Sequence, residues 1–365
     1  MIKVSTQTKN ILFLSLISIT VTFLISYIGY VIFQNSIPKL YDLWNHWDTK
    51  WYLSIAASGY QKFGDGRASI TYFPLYPSII RLGTIVFKDY LKSALTVSNL
   101  SFILALIVFY KLVKIDFSEK IAWRSIVYFS IFPTAYFLHA GYTESLFLMF
   151  TFSAIYFMRE KKWFLASILG MLATLTRLNG LVLVPVFLAE YLTNKKLNFR
   201  QLKFDIFWVL LIIFGFVFYL YLNFHTFGNP FAFRAVYEEV TWERLSLPWV
   251  GLFDAVNRFY RYQLADWMME GFMVILFWLF DLILLATSLK KIRLSYKIFA
   301  WLNFLLMTST SIWSGLPRYT LLLFPIFIVL ARWGEKPVKN YLISICFLFL
   351  QGIFLMLFVQ GRWTF

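Results

Sequence analysis

The chain alternates long apolar runs with short polar connections, and the runs are too continuous for the surface of a soluble fold. A helix needs about 20 apolar residues to cross a bilayer, and fewer where its neighbours bury it in a bundle. On that basis the sequence predicts eleven membrane helices, at 11–33, 94–113, 124–139, 143–158, 163–176, 180–193, 205–224, 271–289, 297–313, 318–332 and 340–359. The expected fold is an all-α polytopic membrane protein, one bundle over residues 1–365. Two polar stretches, 34–93 and 225–270, are longer than the other connections. Within the first, Tyr72–Phe87 carries Pro74, Pro77 and Arg81, and it is expected as a juxtamembrane helix in the interface, not a span. The second is expected to form short helices that cap the mouth of the bundle.

Composition agrees with that pattern. Of 365 residues, 60% are hydrophobic, 21% aromatic and 14% charged, against about 25% charged in soluble domains. The net charge of +16 does not point to nucleic acid, because the basic residues are spread over short loops instead of gathered on one face. The connections 111–124, 159–162, 194–204, 290–297 and 332–339 hold most of them, which assigns those loops to the cytoplasm and both long stretches to the outer side. Ile11–Phe33 is too long for the apolar part of a signal peptide and reads as a retained first helix. The single cysteine, Cys346, excludes an intramolecular disulfide and a cysteine metal site.

Costly residues then collect at one depth. Trp44–Tyr60 places Asp48, Lys50 and His46 among Trp44, Trp47, Trp51 and Tyr52, at the level where aromatic side chains meet lipid headgroups. Glu144 follows the turn at Gly141, Arg177 and Asn179 sit in a turn between two short helices, and Arg318 and Tyr319 follow Pro317. Charged groups near hydrocarbon cost a few kcal/mol each and usually face a cavity with a partner. Several in one layer predict a polar outer chamber. Each also has a plain reading: Asp48 as a solvated belt residue, Glu144 as a helix-start acid, the arginines as snorkelling side chains. Asp281, alone in FWLFDLILL, is expected to pair with another helix. His46 and Asp48 offer two ligands with no spaced third, so no metal is expected, and no cofactor.

The sequence has no nucleophile elbow, no phosphate-binding loop and no dinucleotide fingerprint. An enzyme of this kind needs an activated donor that arrives through the bilayer, and a polyprenyl- or dolichyl-phosphate sugar has that property. Arg177 and Arg318 would grip the phosphate, Asp48 would act as base, and His46, Lys50, Tyr52, Glu144, Asn179 and Tyr319 would line the chamber.

The motifs W-D-x-x-W-Y-L-x-I-A-x-x-G-Y at 47–60, Y-F-P-L-Y-P at 72–77, G-Y-T-E-S-L-F at 141–147, T-R-L-N-G at 176–180 and P-R-Y at 317–319 resemble the PIG-V family. That family belongs to the type-C (GT-C) glycosyltransferases. The resemblance implies a GT-C bundle, a lipid-phosphate mannose donor, inversion at the anomeric carbon, and a catalytic Asp in the first outer loop, which falls on Asp48. It implies a glycolipid, glycan or protein acceptor at the non-cytoplasmic face of a plasma membrane, or of an endoplasmic reticulum membrane in a eukaryote. Abundant Ile, Phe and Lys fit a prokaryotic member. No second acid stands beside Asp48, as it does in some type-C enzymes. The rival function is a lipid-linked sugar flippase, which would place charges along a path through the bilayer, often in repeated halves. Here they crowd at one end.

Overall fold

Long apolar helices with small and hydroxylated residues on one side can pack closely and leave their bulky side chains to lipid. The first helix, α1 (Thr6–Gln34), does this: Ser15, Thr22, Ser26 and Gly29 are buried, while Phe13, Leu16, Leu24, Ile28 and Ile32 are exposed. In this computed structural model the described residues are 5–198, 202–261, 267–288 and 292–365. Parts of the expected 194–204 and 290–297 connections and of the 225–270 loop therefore lie outside the described residues.

After α1 come α2 (Asp48–Ser58), α3 (Leu75–Phe87), α4 (Tyr90–Asp116), α5 (Glu119–Ser130), α6 (Glu144–Arg159), α7 (Trp163–Thr176), α8 (Leu183–Asn194) and α9 (Val209–Phe227). They are followed by α10 (Ala232–Thr241), α11 (Pro248–Arg261), α12 (Val274–Ser288), α13 (Leu294–Thr308), α14 (Leu316–Tyr319), α15 (Pro325–Trp333) and α16 (Pro337–Val359). The only pairing of extended backbone among the described residues is an isolated antiparallel bridge between Leu245 and Thr310. The chain is an all-helical integral membrane protein.

Among the described residues, five helical stretches are long and apolar enough to cross a bilayer unaided: Thr6–Gln34, Tyr90–Asp116, Phe204–Phe227, Met269–Ser288 and Pro337–Val359. The other expected spans are shorter helices. The one expected at 124–139 stops at Ser130, before Pro133, and resumes as a 3₁₀ turn at Ala135–Leu138. The one expected at 318–332 is broken, with Leu316–Leu322 and Pro325–Trp333 meeting at 85°. Proline removes a backbone donor and crowds the preceding turn, which accounts for both breaks. The segment expected at the interface is also bent: Asp65–Thr71 meets Leu75–Phe87 at 106°. At 13 residues α3 rises about 20 Å, short of the roughly 30 Å hydrocarbon core.

Aromatic rings fill the bundle. Phe109 stacks on Phe152 at 4.8 Å, and Phe324 meets Phe109 and Phe152 edge-on at 5.8 and 5.4 Å. Such pairs add about 0.5–1.5 kcal/mol beyond area burial. Since Phe324 immediately precedes Pro325, this packing also anchors the break that follows α14. At another part of the bundle Arg159 donates to Asp116 at 2.8 Å and to Tyr296 at 3.0 Å, while Glu190 accepts from Arg293 at 2.8 Å. These contacts tie α4, α6, α8 and α13 together.

Candidate active site

Asp48 is the first residue of α2, preceded by Trp47 with φ of 49°. A non-glycine residue in that left-handed region costs about 1–2 kcal/mol. The turn makes α2 start abruptly, with an acid at its N-terminus where the helix dipole favours one. Close approach of backbone completes the placement. A Cβ at Gly141 would lie 2.9 Å from Thr49 Cγ2, so the turn that precedes α6 fits against α2 only because position 141 has no side chain. Gly180 plays the same part in the next turn, where a Cβ would lie 2.4 Å from the backbone of Thr174.

These turns and the bent α14 bring four charged residues into one chain of contacts. Arg318 Nη1 donates to Asp48 Oδ2 at 2.8 Å, and Arg318 Nε donates to Glu144 Oε1 at 2.7 Å. Arg177 Nη1 donates to the same Glu144 oxygen at 2.8 Å and to Thr143 Oγ1 at 2.8 Å. Tyr72 donates its hydroxyl to Asp48 Oδ1 at 3.1 Å. The Arg318 guanidinium lies 4.8 Å from the Tyr142 ring centre, 5.2 Å from Phe137 and 5.4 Å from Tyr319, and Arg177 lies 5.2 Å from Tyr319. Aromatic faces attract a desolvated cation without consuming its N–H donors. Arg318 Nη2 and Arg177 Nη2 have no hydrogen-bond partner among the described residues.

Asp48, Tyr52, Arg177, Asn179, Arg318 and Tyr319 all line one pocket of about 440 Å³, within the range of small-ligand sites. Three residues expected on its wall are elsewhere. Glu144 is fully buried behind the wall, because the two arginines close over it. His46 turns towards the C-terminal end of α16, with its ring 5.6 Å from Phe358, and burial followed by the charge of Lys50 holds its imidazole below the ordinary histidine range. Lys50 is exposed and lies outside the pocket lining. Asp281 pairs across helices as expected, accepting from Thr320 Oγ1 at 2.8 Å.

The pocket also contains residues that the sequence did not single out. Tyr72 lies in a motif already noted, but nothing in its spacing marks it as the second ligand of Asp48. Tyr237 and Glu243 come from the 225–270 loop, and Trp363 and Phe365 from the far end of the chain. Loop residues without a helical period give no sign of which way they face.

Residues 30–274, more than half of the chain, match the family described as Mannosyltransferase (PIG-V). The chain belongs to that family. It is 28% identical over 204 residues to GPI alpha-1,6-mannosyltransferase 2 of Homo sapiens, covering 53% of this chain and 40% of the human protein. It is 26% identical over 174 residues to GPI mannosyltransferase 2 of Schizosaccharomyces pombe, covering 47% of this chain and 37% of that protein. The matched stretch thus spans well under half the length of either relative. Among solved structures the chain resembles ArnT of Cupriavidus metallidurans bound to undecaprenyl phosphate, with a TM-score of 0.55 and 17% identity over 91% of this chain and 63% of that one. That likeness gives this PIG-V family member the GT-C fold, as its motifs led one to expect.

Proposed function

We propose that this protein is an inverting glycosyltransferase that moves mannose or a related hexose from a polyprenyl- or dolichyl-phosphate donor to a glycolipid, glycan or protein at the non-cytoplasmic face. The observation that carries this reading is the placement of Asp48, Arg177 and Arg318 on one pocket wall. Membership of a mannosyltransferase family supports the sugar, and the undecaprenyl phosphate bound to ArnT supports the type of donor. The basic loops between spans support the orientation.

In this mechanism the donor lipid stays in the bilayer and its phosphate approaches the unpaired N–H groups of Arg177 and Arg318. An acceptor hydroxyl attacks the anomeric carbon opposite the phosphate. The new carbon–oxygen bond forms as the bond to the phosphate oxygen breaks. Asp48 takes the hydroxyl proton, and the electron pair leaves with the lipid phosphate, whose charge the arginines stabilise. Tyr72 and Arg318, each bonded to one oxygen of Asp48, orient the carboxylate for that transfer. Glu144 keeps both guanidinium groups in place from behind the wall.

The test is transfer of labelled mannose from polyprenyl-phosphate mannose to membrane acceptors by the reconstituted protein. Asp48→Asn is expected to fold normally and lose at least about 100-fold in rate, the scale of general-base catalysis. Wild-type transfer by that variant would remove Asp48 from the role of base.

A further inference from the structure

Glu243 is a second carboxyl on the wall of the same pocket, and the mechanism above makes no use of it. It comes from the outer loop, just beyond α10, whereas Asp48 comes from the first outer loop. Its partners are the side chains of Tyr237, whose hydroxyl donates to Oε2, and Thr310, and it forms no ion pair among the described residues. Burial pushes its carboxyl above the ordinary glutamate range. A carboxyl held out of water without a counter-charge is unfavourable, so the fold must hold it there by other means.

Those means are visible. Arg244 N–H donates to Ser311 Oγ at 2.9 Å, Ser311 N–H to the Arg244 carbonyl at 2.8 Å, and Ser246 N–H to the Ser309 carbonyl at 3.0 Å. The backbone on either side of the Leu245–Thr310 bridge is therefore pinned to the segment that follows α13. At the other side of the cap, Glu239 of α10 pairs with Arg67 of the first outer loop. Glu243 is thus presented to the pocket by a fixed strand of chain.

We propose that Glu243 is a ligand for the hydroxyl groups of the acceptor, and so a specificity residue in the pocket that Asp48 also lines. The proposal rests on the glycosyltransferase reading of the pocket. A carboxylate accepts hydrogen bonds from neighbouring hydroxyls in a geometry that a sugar ring supplies. It repels a phosphate. The anionic end of the donor therefore belongs with Arg177 and Arg318, and the neutral polyol of the acceptor with Glu243. Recognition by a desolvated carboxyl also disfavours molecules that lack the matching hydroxyl, because they add no hydrogen bond to those that Glu243 already receives.

Two amphiphilic probes separate the two recognition roles: octyl α-mannopyranoside for the polyol and dodecyl phosphate for the phosphate. Tryptophan fluorescence reports binding, since Trp47, Trp51, Trp313 and Trp363 line the pocket. Glu243→Gln is expected to weaken the glycoside at least tenfold and dodecyl phosphate less than twofold, with Glu243→Asp intermediate for the glycoside. Unchanged glycoside binding in Glu243→Gln, equal loss of both probes, or no glycoside binding by the wild type overturns the proposal. Loss of transfer with full glycoside binding overturns it too, and moves Glu243 into the chemistry. Failure of the Asp48 test leaves these binding results standing, so the two readings fail separately.

Discussion

Arg318 holds Asp48 through a hydrogen bond of 2.8 Å from Nη1 to Oδ2, while its Nε is engaged 2.7 Å from Glu144. One planar fork therefore fixes the pocket carboxylate relative to the buried one. Lysine carries the same charge but a single donor point, so it cannot span both partners and still face a ligand. Arg318→Lys is expected to reduce transfer by roughly 100-fold, comparable to removal of one preorganised donor of a transition-state site, while the protein remains folded in detergent. A variant that keeps more than half of wild-type transfer would show that the fork is not needed.

Glu144 makes a contrasting prediction. It is buried, and its Oε1 accepts from both Arg177 and Arg318. Glu144→Gln leaves two neighbouring guanidinium groups sharing only Asp48 as counter-charge. Breaking a buried ion pair by removing one partner costs about 3–5 kcal/mol, so the expected outcome is a marked fall in thermal stability together with loss of activity. Thermal unfolding in detergent checks it; an unchanged midpoint would mean that water or a rearranged side chain replaces the carboxylate.

How far these relationships can be read from sequence depends on what each residue signals. Asp48, Arg177 and Arg318 are charged groups at the ends of apolar runs, and such groups are costly enough to announce a shared cavity before any coordinates exist. The role of Glu144 was not legible, since an acid that faces a chamber and one that lies beneath its wall follow the same turn. The breaks inside two of the expected spans were not legible for a related reason. Hydropathy counts apolar residues, but Pro133 and Pro325 break two of the runs and leave short helices that bury themselves against neighbours. Glu243 and Tyr237 could not be placed because contacts between distant segments, the Leu245–Thr310 bridge and the Arg67–Glu239 pair, hold the part of the chain that carries them.

Asp281 and Glu190 provide a control away from the pocket. Asp281 Oδ2 accepts from Thr320 at 2.8 Å, and its Oδ1 is buried with no partner. Asparagine retains an acceptor for Thr320, so Asp281→Asn is expected to change transfer by less than about twofold. Glu190, by contrast, receives Arg293 and Ser295 and lies 3.9 Å from Arg159. Glu190→Ala is expected to lower the unfolding midpoint while leaving the KM for donor unchanged in the protein that remains folded. A raised KM would mean that this cluster communicates with the pocket.

His46 carries a pH dependence whose sign follows from its surroundings. Its ring packs edge-on against Phe358, and burial, then the positive charge of Lys50, lowers its pKa from the ordinary value, which is about 6.5. The unfolded chain therefore binds a proton there before the folded one does. Its contribution to stability is present above about pH 6.5 and is lost as pH falls from that value towards the lower folded one. Asparagine removes the titration while keeping a polar side chain. Between pH 7.5 and pH 5.5 the wild-type unfolding midpoint is expected to fall by about 1–3 °C more than that of His46→Asn, on the scale of a sub-kcal/mol change in a protein of this size. Parallel midpoints for the two proteins across that interval would show that His46 is protonated equally in both states, and that its contact with Phe358 does not restrict its ionisation.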